Sequence, residues 1–203
     1  LQVLAEMDAD SQLLAQLFRS VIQCEVLRGE VFAGRRTPVI FGEPQEWIGW
    51  LIQANQLAAD SQYQAAATLR DQAFEAAPAT PGKLDDQPFE WIADADPRLG
   101  PMLEAIVEGR YYWVPFLRLL RVDLEKPTNL RDFVWCPARF KWANGGEAAG
   151  YIPTRYAGTE ATTDPALRLA RRTDWIPKSD GYFFGLGQRL LASNHSEMAL
   201  LET

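Results

Sequence analysis

Phe89-Glu90-Trp91-Ile92-Ala93-Asp94-Ala95-Asp96, followed beyond Pro97–Gly109 by Arg110-Tyr111-Tyr112-Trp113-Val114-Pro115-Phe116, decides the fold class of this chain. The two runs carry six aromatic side chains and three acids. Aromatic residues packed this closely fit the pleated, half-buried surface of an antiparallel sheet. No catalytic scheme requires that mixture. Read as a strand from 89 to 94, the first run turns Glu90, Ile92 and Asp94 to one face and Phe89, Trp91 and Ala93 into the core. Trp91, Trp113 and Trp135 each sit inside a strand-like run, which predicts that all three are mainly core residues. The second run alternates around the sheet, so at least one of Tyr111, Tyr112 and Trp113 should face outward as an interface anchor.

Towards the C-terminus the same texture continues. Met102, Ile106 and Val107 precede a turn at Glu108-Gly109, and short apolar runs follow at 119–124, 133–137 and 140–142. Asn144-Gly145-Gly146 is a strong hairpin signal. Residues 147–153, 167–173 and 182–191 complete the series, while 98–108 and 165–171 fit short helices as well as strands. Turn signals about ten residues apart argue for a mostly antiparallel sheet or small barrel. The polar stretch from Ala192 reads as a flexible tail, residues 193–203.

Towards the N-terminus the periodicity changes to that of helices. Leu13, Leu14, Leu17, Phe18, Val21, Cys24, Leu27, Val31 and Phe32 form an apolar stripe, with Asp10 or Ser11 as cap and Gly34 as stop. Pro44 suits the first turn of a second helix carrying Trp47, Ile48, Trp50, Leu51, Ala54 and Leu57. Asp60 or Ser61 caps a third, with Tyr63, Ala66, Ala67, Ala73 and Phe74 on one side and Pro78 at its end. The last two helices fit the 34-residue TPR repeat. Trp50 takes its large aromatic position, Ala54, Ala66 and Ala73 its small ones, and Arg70 breaks the pattern. One repeat cannot cover its own face, so neighbours must pack against it. The chain opens at Leu1 inside a helical pattern (Leu1, Leu4, Ala5, Asp8), which reads as a fragment whose natural start lies upstream. The expected organisation is α+β: a TPR-like helical segment over 1–78, a linker over 79–87 and a β-rich domain over 88–192, packed intimately together. An apolar trough on the helical segment would take an amphipathic helix, with Phe41, Trp47, Trp50, Leu51 and Leu57 as the candidate lining.

Composition narrows the function. A net charge of −7 and a pI near 4.8 oppose nonspecific binding to nucleic acid or an anionic membrane. Arg168, Arg171 and Arg172 could form a local basic patch or a solvated face. No apolar run reaches the length of a membrane span, and no signal peptide is evident. Cys24 and Cys136 are far apart and read as packed thiols of a reducing compartment, the cytoplasm. His195 is the only histidine and lies near the C-terminus. That leaves no base for a nucleophilic triad and no histidine-ligated metal. Gly185-Leu186-Gly187-Gln188 lacks the third glycine of a phosphate loop. The one constellation with chemistry is acidic: Asp85, Asp86, Glu90, Asp94 and Asp96. Glu90, Asp94 and Asp96 could serve a metal-dependent hydrolase. They could equally be an edge with charge on its solvent side or pair with Arg98 or Arg110.

Several stretches resemble one family in order and wording: FEWIADAD (89–96), RLGPMLEAIVEGRYYWVPF (98–116), ANGGEA (143–148), IPTRY (152–156), LRLARRT (167–173) and GLGQRLL (185–191). Together they look like the ImpE/SciE-type, TagJ-like accessory proteins of type VI secretion, over about Gly29 to Leu191. The resemblance implies a non-enzymatic, cytoplasmic role without cofactor. It implies binding to the N-terminal helix of the small sheath subunit TssB, and a link to the ClpV ATPase that recycles sheaths. The matched stretches do not locate the binding surface, so no contact residue is carried over.

Overall fold

The computed structural model describes residues 9–202. The pattern over 1–8 and the side chains of Ala9, Asp10, Ser11 and Leu13 lie outside the described residues. Helix α1 (Ala9–Phe32) is followed by α2 (Glu46–Ala59) and α3 (Tyr63–Ala76), with a short strand β1 (Val39–Ile40) after α1. The strands are β2 (Gly82–Leu84), β3 (Gln87–Phe89), β4 (Ile92–Asp94), β5 (Met102–Val107), β6 (Arg110–Pro115) and β7 (Leu119–Leu124). Next come β8 (Trp135–Trp142) and β9 (Glu147–Pro153), helix α4 (Pro165–Arg168), β10 (Thr173–Ser179), β11 (Tyr182–Gly187), β12 (Leu190–Ser193) and β13 (Glu197–Ala199). The fold is a mixture of helices and mostly antiparallel sheets.

The principal sheet has six strands in the order β1-β6-β5-β9-β8-β7. Its one parallel pairing joins β1 to β6, Val39 opposite Tyr112. The hairpin turn at Glu108-Gly109 closes β5 on β6, and both turn residues have positive φ (51° and 71°). Two such residues give the twist that matches a two-residue hairpin. Asn144-Gly145-Gly146 likewise closes β8 on β9, with the Gly146 amide donating to Asn144 Oδ1 at 3.0 Å. Every residue of β5 is buried, because both faces of the sheet are covered. Met102 and Ile106 look towards α1, Trp47, Ile48 and Leu51 in one apolar cluster. Leu103, Ala105 and Val107 look the other way, towards Phe116, Phe140, Trp142, Ile152 and Leu191. Helices and sheet therefore share one core.

Gly34 ends α1 as expected. The Gly34 amide donates to Val31 O at 3.0 Å and the Arg35 amide to Glu30 O at 2.9 Å, the paired bonds of a Schellman cap. Other local expectations are corrected. Asp10 and Ser11, expected at its cap, fall within the described span of α1. Pro44 falls just before α2, whose N-cap is Gln45, and α3 is capped by Gln62 after the left-handed Ser61. Segment 79–87, read as a linker, is largely the β2–β3 hairpin, turned by Asp85 and Asp86 with φ of 45° and 68°. Phe89 pairs back to Gly82 while Ile92 pairs onward to Ser193, so the expected strand over 89–94 is broken between them. The break leaves Trp91 40% exposed, not in the core. The stretch from 193 is no tail among the described residues: β13 pairs with β12, and Leu200 is buried under the second cluster. Of the three tryptophans, Trp113 is fully buried and Trp135 half-buried, its Nε1 donating to Glu25 Oε2 at 2.9 Å.

Candidate functional site

The acidic run leads to the chemical centre of the molecule, which is a buried ion network and not an open cleft. Glu104 sits midway along β5 on the face that looks at α1, opposite Trp113 of β6. Arg28 of α1 reaches it with a two-pronged contact, Nε to Oε1 at 2.7 Å and Nη2 to Oε2 at 2.9 Å. Arg28 also bonds Glu25 at 2.9 Å and the Arg155 carbonyl at 2.6 Å. Arg189 completes the carboxylate from the other side and bridges it to Asp94. The Tyr111 hydroxyl donates to Glu104 and accepts from Trp113 Nε1 at 2.7 Å. A second pair adjoins: Asp96 accepts from Arg98 Nη2 at 2.6 Å and from the Gly185 amide at 2.8 Å. The Arg98 guanidinium stacks over Phe184 at 4.3 Å and Phe32 at 5.0 Å.

Burial sets the electrostatics. The Glu104 carboxyl is penalised by burial, but the Arg28 and Arg189 guanidinium groups outweigh that and hold it down at about 2. Asp94 has less cationic support. Burial pushes its carboxyl up to about 7, against the pull of Arg189 and with a push from neighbouring Asp96. Burial also raises both thiols to about 11, and Cys24 and Cys136 are buried, the packed thiols expected.

The hydrolase alternative finds no constellation here. Glu90 is exposed, with its backbone amide held by Asn194 Oδ1 at 2.8 Å, while Asp94 and Asp96 are buried against different arginines. Asp94 thus faces inward, reversing the solvent-side expectation for that face. Pairing of the acids with Arg98 does occur, through Asp96. Among the described residues no group of three or more His, Cys, Asp or Glu side chains is placed to hold a metal. Arg171 and Arg172 are exposed beyond α4, and Arg172 is neutralised by Asp164 at 2.6 Å.

The five candidate trough residues do not converge. Trp47 and Leu51 are 3% and 0% exposed inside the core that α2 shares with the sheet. Phe41 lies on the other side, stacked on Trp142 with centroids 4.1 Å apart. Trp50 and Leu57 are half-buried on α2, Trp50 against the first cluster and Leu57 beside Tyr63. The burial of Trp47 and Leu51 follows from the sheet filling the trough that a lone helical hairpin would leave open. Arg70, the break in the repeat pattern, lies over the Tyr182 ring at 5.0 Å and donates to the Gly181 carbonyl at 3.3 Å. Sequence reasoning passed over Arg28, Glu104 and Arg189. The available signal was Glu104 itself, an acid inside the otherwise apolar run Met102–Val107.

Among the described residues no helix is long and apolar enough to cross a membrane. Residues 86–203 match the family described as ImpE protein. The type VI secretion system accessory component TagJ of Pseudomonas aeruginosa (strain PAO1) is 48% identical over 202 residues, covering 100% of this chain and 70% of that protein. The X-ray crystal structure of a Vibrio parahaemolyticus protein superposes with a TM-score of 0.86 over 97% of this chain and 73% of the other. At 24% identity that likeness speaks to the fold alone. With its C-terminal 118 residues matched to the family and a relative this similar along its whole length, the chain belongs to the ImpE family.

Proposed function

We propose that this chain is a non-enzymatic, cytoplasmic accessory component of a type VI secretion system. In this reading it binds the N-terminal helix of the small sheath subunit TssB and connects sheath assembly to ClpV-dependent recycling. The observation that carries the proposal is the 48% identity to TagJ, itself an accessory component of that system, along the entire chain. The organisation of the molecule supports it. Its ionisable interior is taken up by arginines and carboxylates paired with one another.

The partner element of the proposal is the helical hairpin α2–α3, a degenerate TPR-like repeat. Its support is the register: Ala54, Ala66 and Ala73, at the small positions of such a repeat, are all buried. With Trp47 and Leu51 committed to the core, Trp50, Ile52 and Leu57 are the half-buried large apolar residues of α2. Pull-down with this chain from a type VI-active lysate tests the reading. Recovery of TssB, alone or with its sheath partner, is the expected result; a clean pull-down without sheath subunits would oppose it.

A further inference from the structure

The open edge of the main sheet is complementary to itself. Strand β7 is the last in the order β1-β6-β5-β9-β8-β7, with β8 on one side only. The Glu125 amide donates to Pro137 O across that pairing at 3.0 Å. Hydrogen-bonding direction alternates along an antiparallel strand, so Val122 and Leu124 turn their N–H and C=O groups to the free edge. The β2–β3 hairpin stands beside this strand across a cavity of about 360 Å³, lined by Lys83, Leu84, Val122 and Leu124 among others, and does not pair with it. Among the described residues, no strand of the chain covers it.

Charged side chains on an edge strand usually discourage pairing with a second copy. Here the two signs are placed symmetrically about Val122. Arg121 and Asp123 point to one face and pair with each other along their own strand, 2.7 Å apart and with side chains 69% and 49% exposed, while Arg139 of β8 stands opposite Asp123. Arg121 is also directly opposite Lys141 of β8, a like-charge pair in which Lys141 already has Glu147 at 3.6 Å. Leu120, at a bulge in the β7–β8 register, is 65% exposed.

We propose that β7 pairs antiparallel with β7 of a second copy about a two-fold axis at Val122, joining two six-stranded sheets into one. That register sets Arg121 against Asp123 of the second copy twice over, and Leu120 against Leu124 twice over. An isologous contact of this kind closes on itself and does not propagate into a fibre. It uses one short strand per copy, well below a standard interface, so association is weak, with a dissociation constant of about 10–100 µM.

Sedimentation velocity over a concentration series tests this with four proteins: the unaltered chain, Arg121→Asp, Asp123→Arg, and the double variant carrying both. All substituted positions are exposed, and circular dichroism checks that the fold is kept. The unaltered chain should dimerise reversibly. Each single reversal sets like charges opposite one another and should weaken dimerisation about tenfold or more. The double variant restores both pairs with the signs exchanged and should recover the original association. A chain that stays monomeric at about 1 mM, an order of magnitude above the expected constant, overturns the proposal. So does dimerisation unchanged in the single variants, or a double variant as weak as either single.

Discussion

Glu104 is the residue on which the interior depends most, since it is the shared partner of Arg28, Arg189 and Tyr111. Replacing it by Gln leaves two buried guanidinium groups short of an anion, a loss that should cost about 3–5 kcal/mol in denaturant unfolding. Its titration has a definite sign. The folded value of about 2 lies below the ordinary 4.5, so the unfolded chain holds the extra proton between them. The stability Glu104 contributes is complete above about pH 4.5 and disappears as pH falls towards 2, on the order of 3 kcal/mol. Asp94 works in the opposite direction, because its folded value of about 7 lies above the ordinary 3.8. Its contribution is greatest at low pH and declines as pH rises from about 4 to 7. Unfolding curves between pH 4.5 and 7.5 should therefore be flatter for Asp94→Asn than for the unaltered chain; parallel curves would mean that Asp94 does not titrate there. Tryptophans divide by burial. Trp113→Ala empties a fully buried site and removes the Nε1 donor to the Tyr111 hydroxyl, costing about 3–5 kcal/mol, whereas Trp91→Ala at a 40% exposed ring should stay within about 0.5 kcal/mol. The sequence read Trp113 correctly because its run is one unbroken strand. Trp91 misled because the chain turns beside it, and a local pattern carries no trace of the distant partners, Gly82 and Ser193, that divide the run.

At the scale of elements, local signals marked what local forces decide. Gly34, Glu108-Gly109 and Asn144-Gly145-Gly146 each fix a helix end or a hairpin through a few residues, and each was legible. Gly34→Ala tests this level. The residue needs φ of +71°, and an added Cβ would come 2.9 Å from the Ala59 Cβ on α2. Thermal or chemical unfolding should show a loss of about 1–2 kcal/mol; an unchanged midpoint would mean that the cap is dispensable. What the sequence hid depends on long-range pairing. β1 joins β6 over more than seventy residues, and the 193–202 segment is ordered by β12 and the second cluster, not by its own polar composition. The candidate trough shows the same limit. Periodicity identified the apolar face of α2, but whether a partner or the protein's own sheet covers that face is a tertiary fact. The sheet covers it at Trp47 and Leu51. The buried network was equally hidden: its members come from α1, β4, β5 and the turn before β12, and only their meeting gives them meaning.

For the whole molecule, the buried ion network and the core shared by helices and sheet make one packed scaffold, and the chain belongs to the ImpE family. The stretches that carry the family resemblance include Asp94, Asp96, Arg98, Glu104, Tyr111, Trp113 and Arg189. They specify the scaffold. We propose that this scaffold presents a helical surface to an amphipathic helix of the sheath. Calorimetric titration of a peptide of the TssB N-terminal helix into this chain tests it most directly. We expect saturable binding of one peptide per chain, weakened at least about tenfold by Trp50→Ala with Leu57→Ala while the fold is retained. Absence of any binding heat at high micromolar peptide, with the fold intact, would contradict the account.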